Sequence, residues 1–110
     1  MSTIELNTDA ADAELLRAAI EAKRLSELHV DLCRAKETGG ATEEEVKSCS
    51  AEHAAVAHRL AELQARSLEG VLAKIRLLAE GVEYGKGPWD EALAAGLIRD
   101  VEAMAGRAAA

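Results

Sequence analysis

The feature that most constrains the fold is a long run of apolar residues with helical spacing and no proline. Over residues 46–63, apolar and weakly polar positions recur alternately three and four residues apart, which is typical of a helix packed along a heptad seam. After a slip of one residue, the same spacing continues over residues 68–82. Because no proline falls between residues 42 and 84, the pattern predicts one helix over 42–83, about 40 residues and roughly 60 Å long.

Local signals mark the ends of this helix and its one weak point. Thr42 and Glu45 have the spacing of a capping box, in which the threonine side chain and the glutamate side chain satisfy free amide groups at a helix start. Glycines at 81, 85 and 87 end the periodic pattern. A break near residue 67, where Ser67 could cap a new helix, is the alternative to a continuous helix.

Two further helices are predicted on either side. The first covers 9–38 and ends at the pair Gly39-Gly40, and residues 1–8 before it are expected to be flexible. The last covers 88–106, because Pro88 favours the first position of a helix. Strand content should be near zero, since long stretches are rich in Ala, Glu, Leu, Lys and Arg.

The spacing of the turns predicts how these helices pair. An antiparallel hairpin around Ala41 places the first helix along the first half of the long helix, and a turn at 85–86 places the last helix along its second half. The second hairpin predicts these pairs: Trp89 with Val82, Leu93 with Leu78, Leu97 with Ile75, Val101 with Val71, and Met104 with Leu68. The expected core or dimer contacts are Leu60, Leu63, Leu68, Val71, Ile75, Leu78, Trp89 and Leu97. Since two-helix seams bury little apolar surface, we expect a homodimer that closes them into four-helix bundles. The predicted fold is all-α, a single domain over 1–110 with a long central helix.

Charge and composition limit the partners. The formal net charge of −7 disfavours nucleic acid, whose phosphates are bound by clustered Lys and Arg. Residues 1–14 are acidic, with no basic residue and no apolar stretch, so they have no secretory or transit pattern. No apolar run has the roughly 20 residues that a membrane span needs. A cytoplasmic location is therefore expected.

Four residues form a mirrored pattern that could bind a metal. His29 and Cys33 are four residues apart in the first helix, and Cys49 and His53 are four apart in the long helix. The predicted hairpin register places cysteine beside cysteine and histidine beside histidine, and two thiolates with two imidazoles suit tetrahedral zinc. Two alternatives stay open, namely that the cysteines are apolar core residues or that Cys33 and Cys49 form a disulfide.

No pattern indicates catalysis. The chain has no nucleophile with a matching base, no glycine-rich phosphate loop and no carboxylate pair in a predicted cleft. We therefore expect no enzyme and no cofactor other than zinc. The sequence favours a small interaction or oligomerisation protein with a regulatory or accessory role, and the alternative is a zinc-binding or thiol-redox helical hairpin.

The second half of the chain carries a short motif. Its residues are Ser67, Leu68, Gly70, Ala73 and Lys74, followed by Trp89, Asp90, Leu97, Asp100 and Val101. This pattern resembles a group of short, uncharacterised helical proteins of alphaproteobacteria and their mobile elements. That group usually has a proline before the serine or threonine, whereas this chain has Ala65-Arg66. The resemblance implies a helical protein and no particular activity.

Overall fold

The described residues form four α-helices. The computed structural model describes the backbone of residues 2–84 and 89–109 and the side chains of residues 12–80 and 89–107. The helices are α1 (Ser2–Glu37), α2 (Glu43–Glu62), α3 (Leu68–Tyr84) and α4 (Trp89–Ala109), and the described residues contain no strand. The all-α prediction is therefore confirmed. The predicted turn at 85–86 and the side chain of Val82 lie outside the described residues.

The turn between α1 and α2 has the structure that its sequence predicts. Gly39 has a φ of +81°, and the amide of Gly40 donates to the carbonyl oxygen of Ala35 at 2.7 Å, as in a Schellman ending of a helix. Thr42 and Glu45 form the predicted capping box at the start of α2. Both ends of this turn are set by local chemistry, and α1 and α2 pack as an antiparallel hairpin.

Two helix boundaries differ from the prediction. The first helix begins at Ser2 rather than near residue 9, and it is the longest helix of the chain. The helix expected over 42–83 is divided, because α2 ends at Glu62 and α3 begins at Leu68. Leu63 leaves the helix with an extended backbone, φ −71° and ψ 128°. The prediction of one long central helix is therefore wrong, and the alternative break near Ser67 is what the structure has.

The break reverses the chain and lets one copy form a four-helix bundle. Side chains at the start of α3 contact α1 near Asp12, and α3 then runs beside α1, where the two helices line one groove. Helix α4 returns beside α2, since Trp89 contacts His53 and Ala65 contacts Asp100. Each helix thus packs against two others, and a bundle does not require a second copy. The homodimer stays a prediction, but the reason given for it, that two-helix seams bury little apolar surface, no longer applies.

The core is aliphatic and lies where all four helices meet. Its buried residues include Leu15 and Leu25 of α1, Leu60 of α2 and Leu93 of α4. Among the eight predicted core or dimer residues, Leu60, Val71 and Trp89 are buried, and Leu63, Leu78 and Leu97 are partly buried against the core. Leu68 and Ile75 are 71% and 46% exposed, respectively, so their prediction as core residues of one chain is wrong.

The exposure of Ile75 has a definite cause. Helix α3 turns Lys74, and not Ile75, toward α4, because Lys74 forms an ion pair with Asp100 inside the bundle. Turning Lys74 inward places Ile75, one residue or about 100° further round the helix, at the surface. On the α4 side, Val101 is 51% exposed for the same reason. Each of three predicted pairs therefore includes one residue that lies at the surface instead of at the helix contact. These pairs are Leu97 with Ile75, Val101 with Val71, and Met104 with Leu68.

Candidate functional site

Buried charged residues surround the junction between α2 and α3. Among the described residues, the buried charged side chains are Asp12, Lys74 and Asp100, with exposed fractions of at most 1%. Each comes from a different helix. Burying a charge costs free energy unless it is paired and hydrogen-bonded, so each of these side chains needs close partners at the junction.

Asp12 of α1 caps the beginning of α3. One carboxylate oxygen accepts a hydrogen bond from the amide of Arg66 at 2.9 Å, and the other accepts one from the hydroxyl of Ser67. The Ser67 hydroxyl oxygen in turn accepts from the amide of Gly70 at 3.2 Å, which makes Ser67 the N-cap of α3. A carboxylate near a helix start also interacts favourably with the helix dipole.

Asp100 of α4 binds the same junction from the other side. Its Oδ2 accepts from Lys74 Nζ at 2.6 Å and from the amide of Ala65 at 3.1 Å. Its Oδ1 is buried without a hydrogen bond among the described residues, although Arg99 Nη2 lies at ion-pair distance, 3.5 Å. Lys74 and Asp100 are both 0% exposed, so the pair joins α3 to α4 inside the core.

Two glycines allow the helices to approach this closely. A Cβ atom on Gly70 would lie 2.5 Å from Asp12 Oδ2 and 3.0 Å from Ala65 Cβ. A Cβ atom on Gly96 would lie 2.7 Å from the backbone oxygen of Ala61. A side chain at either position would therefore move α1 or α2 away from the junction.

The junction gathers several residues of the motif identified in the sequence. Ser67, Gly70, Lys74 and Asp100 all lie within this network. Their common role is to hold the break and the close helix packing, which explains why these residue types occur together. Sequence reasoning missed the role of Asp12 and the pairing of Lys74, although a lysine in an apolar stretch and an aspartate at a core position of α4 were signals for it.

The four predicted metal ligands lie on α1 and α2, on the facing sides of the hairpin. Cys33 Sγ is 3.8 Å from His29 Nε2, whereas the Cys49 thiol donates to the backbone oxygen of Leu25 at 3.4 Å. Among the described residues, no three His, Cys, Asp or Glu side chains are grouped so that they could hold a metal ion. The four residues therefore do not fit a tetrahedral zinc ion as they are arranged. Both cysteines are free, and zinc uptake in solution stays a prediction.

Burial changes the titration of two of these groups. Burial raises the pKa of the Cys49 thiol, and the carboxylate of Glu52 adds to the rise. Burial lowers the pKa of His53, with a smaller contribution from His29. The His53 ring packs edge-on against Trp89, with ring centres 5.5 Å apart, and its Nε2 is buried without a hydrogen bond among the described residues. These properties favour a thiol and an imidazole that pack in the interior rather than react.

Exposed apolar side chains concentrate around α3. Seven large apolar side chains are exposed in the described part of the chain, and six of them concern this surface. Three lie on α3, and the other three lie on α1 or α4, the two helices that pack against α3. We call this surface the α3 face, and it consists of Ile20, Leu68, Leu72, Ile75, Ile98 and Val101. Leu28 is the exception. Apolar residues on the inner and outer sides of one helix are typical of a helix that is covered all round.

A groove between α1 and α3 adjoins this face. It has a volume of about 580 Å³ and is lined by Leu16, Ala19, Ile20, Lys23, Glu69, Leu72, Ala73, Arg76, Leu77 and Glu80. The floor is aliphatic, and two positive and two negative side chains lie among its lining residues. The groove is therefore close to neutral in a chain whose net charge is −7.

No family model, curated protein or solved structure matches this chain. No helix of the described residues has the length and apolarity to cross a lipid bilayer.

Proposed function

We propose that this chain is a small helical interaction protein that forms a homodimer through its α3 face. The observation that carries the proposal is the clustering of the exposed large apolar side chains on and beside one helix. Monomeric proteins rarely expose large contiguous apolar patches, and such patches mark interaction surfaces. A regulatory or accessory role fits a chain whose described surface offers an interface and no catalytic grouping.

Charge placement favours a second copy as the occupant of this surface. Glu69 and Arg76 are two helical turns apart on α3, and Leu72 lies between them in the sequence. In a two-fold dimer, each residue of the patch meets its counterpart from the other copy. A two-fold axis near Leu72 with antiparallel α3 helices places Glu69 of one copy opposite Arg76 of the other.

The overall charge supports the same choice. Two copies with a net charge of −7 each repel one another unless they approach through a region of low net charge. The α1–α3 groove beside the α3 face has balanced charges, with Lys23 and Arg76 against Glu69 and Glu80. This region thus combines apolar side chains with a formal charge balance that limits the repulsion between two copies.

Analytical ultracentrifugation over a range of concentrations tests the dimer. We expect the wild type to dimerise and Ile75→Glu and Val101→Glu to weaken association at least tenfold, because each buries an unpaired charge in the contact. Leu28→Glu is the matched control, since Leu28 is exposed and apolar but outside the face. Circular dichroism verifies that each variant is folded.

A charge exchange tests the orientation. Glu69→Arg and Arg76→Glu should each weaken the dimer, and the double variant should restore it, because opposite charges again face each other. A monomer at all concentrations would contradict the proposal, as would equal effects of the Leu28 and Ile75 variants. Binding only to a different protein would also overturn the homodimer.

A zinc or thiol-redox role is the alternative function, and one contact favours it. Cys33 and His29 are already adjacent on α1, so they offer two of the four ligands that zinc requires. Native mass spectrometry of chain purified without chelator tests this role. An unmodified mass with two free thiols excludes it, whereas bound zinc that is lost in Cys33→Ser supports it.

A further inference from the structure

The three residues before Ser67 do not encode the break between α2 and α3. Gln64, Ala65 and Arg66 are all good helix formers, and no proline or glycine lies within 63–67. The apolar spacing before and after the break is helical on both sides. Local preference therefore favours a continuous helix through the point where the structure has none.

Side chains from distant helices hold the break open. The amides of Ala65 and Arg66 would donate to carbonyl groups four residues earlier in a continuous helix. In the structure they donate instead to carboxylates, Ala65 to Asp100 and Arg66 to Asp12. Because those partners are buried at the junction, they replace the helical hydrogen bonds of the unwound segment.

We propose that this junction is a hinge, and that its opening exchanges α3 and α4 between two copies of the chain. When Asp12 releases Arg66 and Ser67 and Asp100 releases the amide of Ala65, α2 and α3 join into one helix. The α3–α4 hairpin then packs on α1 and α2 of a second copy. Lys74 and Asp100 belong to the same hairpin, so their ion pair travels with it.

Apart from the hydrogen bonds of the hinge itself, the contacts between the helices are conserved in such an exchange. The approach of Gly96 to Ala61 and the ring contact of Trp89 with His53 form between copies instead of within one. Domain exchange of this kind requires little new interaction surface. The exchanged dimer uses the hinge, whereas the dimer of the proposed function uses the α3 face, so the two are independent.

Distance measurement distinguishes the bent form from the straight form. Spin labels at the exposed positions Glu52 and Ala79, in a chain with Cys33→Ser and Cys49→Ala, lie about 40 Å apart along a continuous helix. In the bent form, α3 turns back toward the level of residue 52, so the distance is much shorter. Pulsed electron resonance reports both populations.

Two variants act on the hinge in opposite directions. Asp12→Ala removes the acceptor for Arg66 and Ser67, and we expect a population near 40 Å together with a dimeric mass. Gln64→Pro locks the break, because proline interrupts a continuous helix and Leu63 already has the extended backbone that precedes proline. We expect Gln64→Pro, alone or with Asp12→Ala, to abolish the long distance.

Two controls complete the experiment. One covers a variant that does not fold, and the other covers the dimer formed through the α3 face. If Asp12→Ala loses its helical circular dichroism, the wild type refolded at high concentration is measured instead, and absence of the long distance there overturns the hinge. A short distance alone in a folded Asp12→Ala chain also overturns it. All measurements are repeated with Ile75→Glu, which disrupts the α3 face, and the exchanged dimer should persist.

Discussion

The ion pair between Lys74 and Asp100 gives a quantitative test of what holds the bundle together. Both side chains are 0% exposed, and their N–O distance is 2.6 Å. Removing one partner of a buried pair leaves an uncompensated charge and typically costs about 3–5 kcal/mol. We therefore expect Lys74→Met to lower the free energy of unfolding by at least about 3 kcal/mol, which corresponds to a fall in Tm of about 12 °C or more.

The double variant separates the charge from the hydrogen bond. Asp100→Asn keeps a carbonyl oxygen that can accept from the amide of Ala65 while removing the charge. Lys74→Met combined with Asp100→Asn leaves no buried charge at this position, and we expect its stability to lie within about 1 kcal/mol of the wild type. The coupling energy between the two substitutions should thus be favourable by several kcal/mol, well above the roughly 0.5 kcal/mol within which independent sites are additive.

Urea denaturation followed by circular dichroism measures these values from the midpoint and the slope. Lys23→Met is the control, because Lys23 is exposed and its loss should change stability by no more than about 0.5 kcal/mol. If Lys74→Met costs less than about 1 kcal/mol, or if the double variant loses the sum of both single effects, the account of a buried, mutually dependent pair is wrong.

Three further predictions concern packing, pH and thiol reactivity. Gly96→Ala should destabilise the protein by about 1–3 kcal/mol, because the added Cβ clashes with α2. Gly106→Ala should stabilise α4 by about 0.5–1 kcal/mol, since nothing lies within 4 Å of its added Cβ. Equal shifts in Tm for the two variants would refute this contrast. Because burial lowers the pKa of His53 below its ordinary 6.5, the unfolded chain binds the proton more readily, so stability present above pH 6.5 should decline as the pH falls below it. His53→Gln should flatten that decline in urea titrations monitored by the single tryptophan, and an unchanged slope would assign it to other groups. Burial raises the pKa of the Cys49 thiol. A thiol reagent should therefore modify a chain that keeps only Cys49 more slowly than a chain that keeps only Cys33. The reverse order of rates would contradict the buried position of Cys49.

The interior network was partly readable from the sequence. The sequence offers Ser67 as a cap only in the alternative to a continuous helix, and it shows Gly70, Lys74 and Asp100 as parts of a motif. The pattern did not give its geometry, because the partners lie in separate helices. The Asp12 carboxylate is 54 residues before the amide of Arg66 that it accepts from, and no local spacing rule connects such positions.

The helical class, and the helix boundaries that depend on near neighbours, follow from the amino-acid sequence alone. The Thr42–Glu45 capping box and the glycine ending of α1 were predicted correctly, since the groups involved lie within a few residues of each other. The break after Glu62 and the faces that α3 presents depend on packing between distant helices. At 63–67, local helix propensity favours continuation, and buried hydrogen bonds from α1 and α4 outweigh it because carboxylates in the interior must find partners.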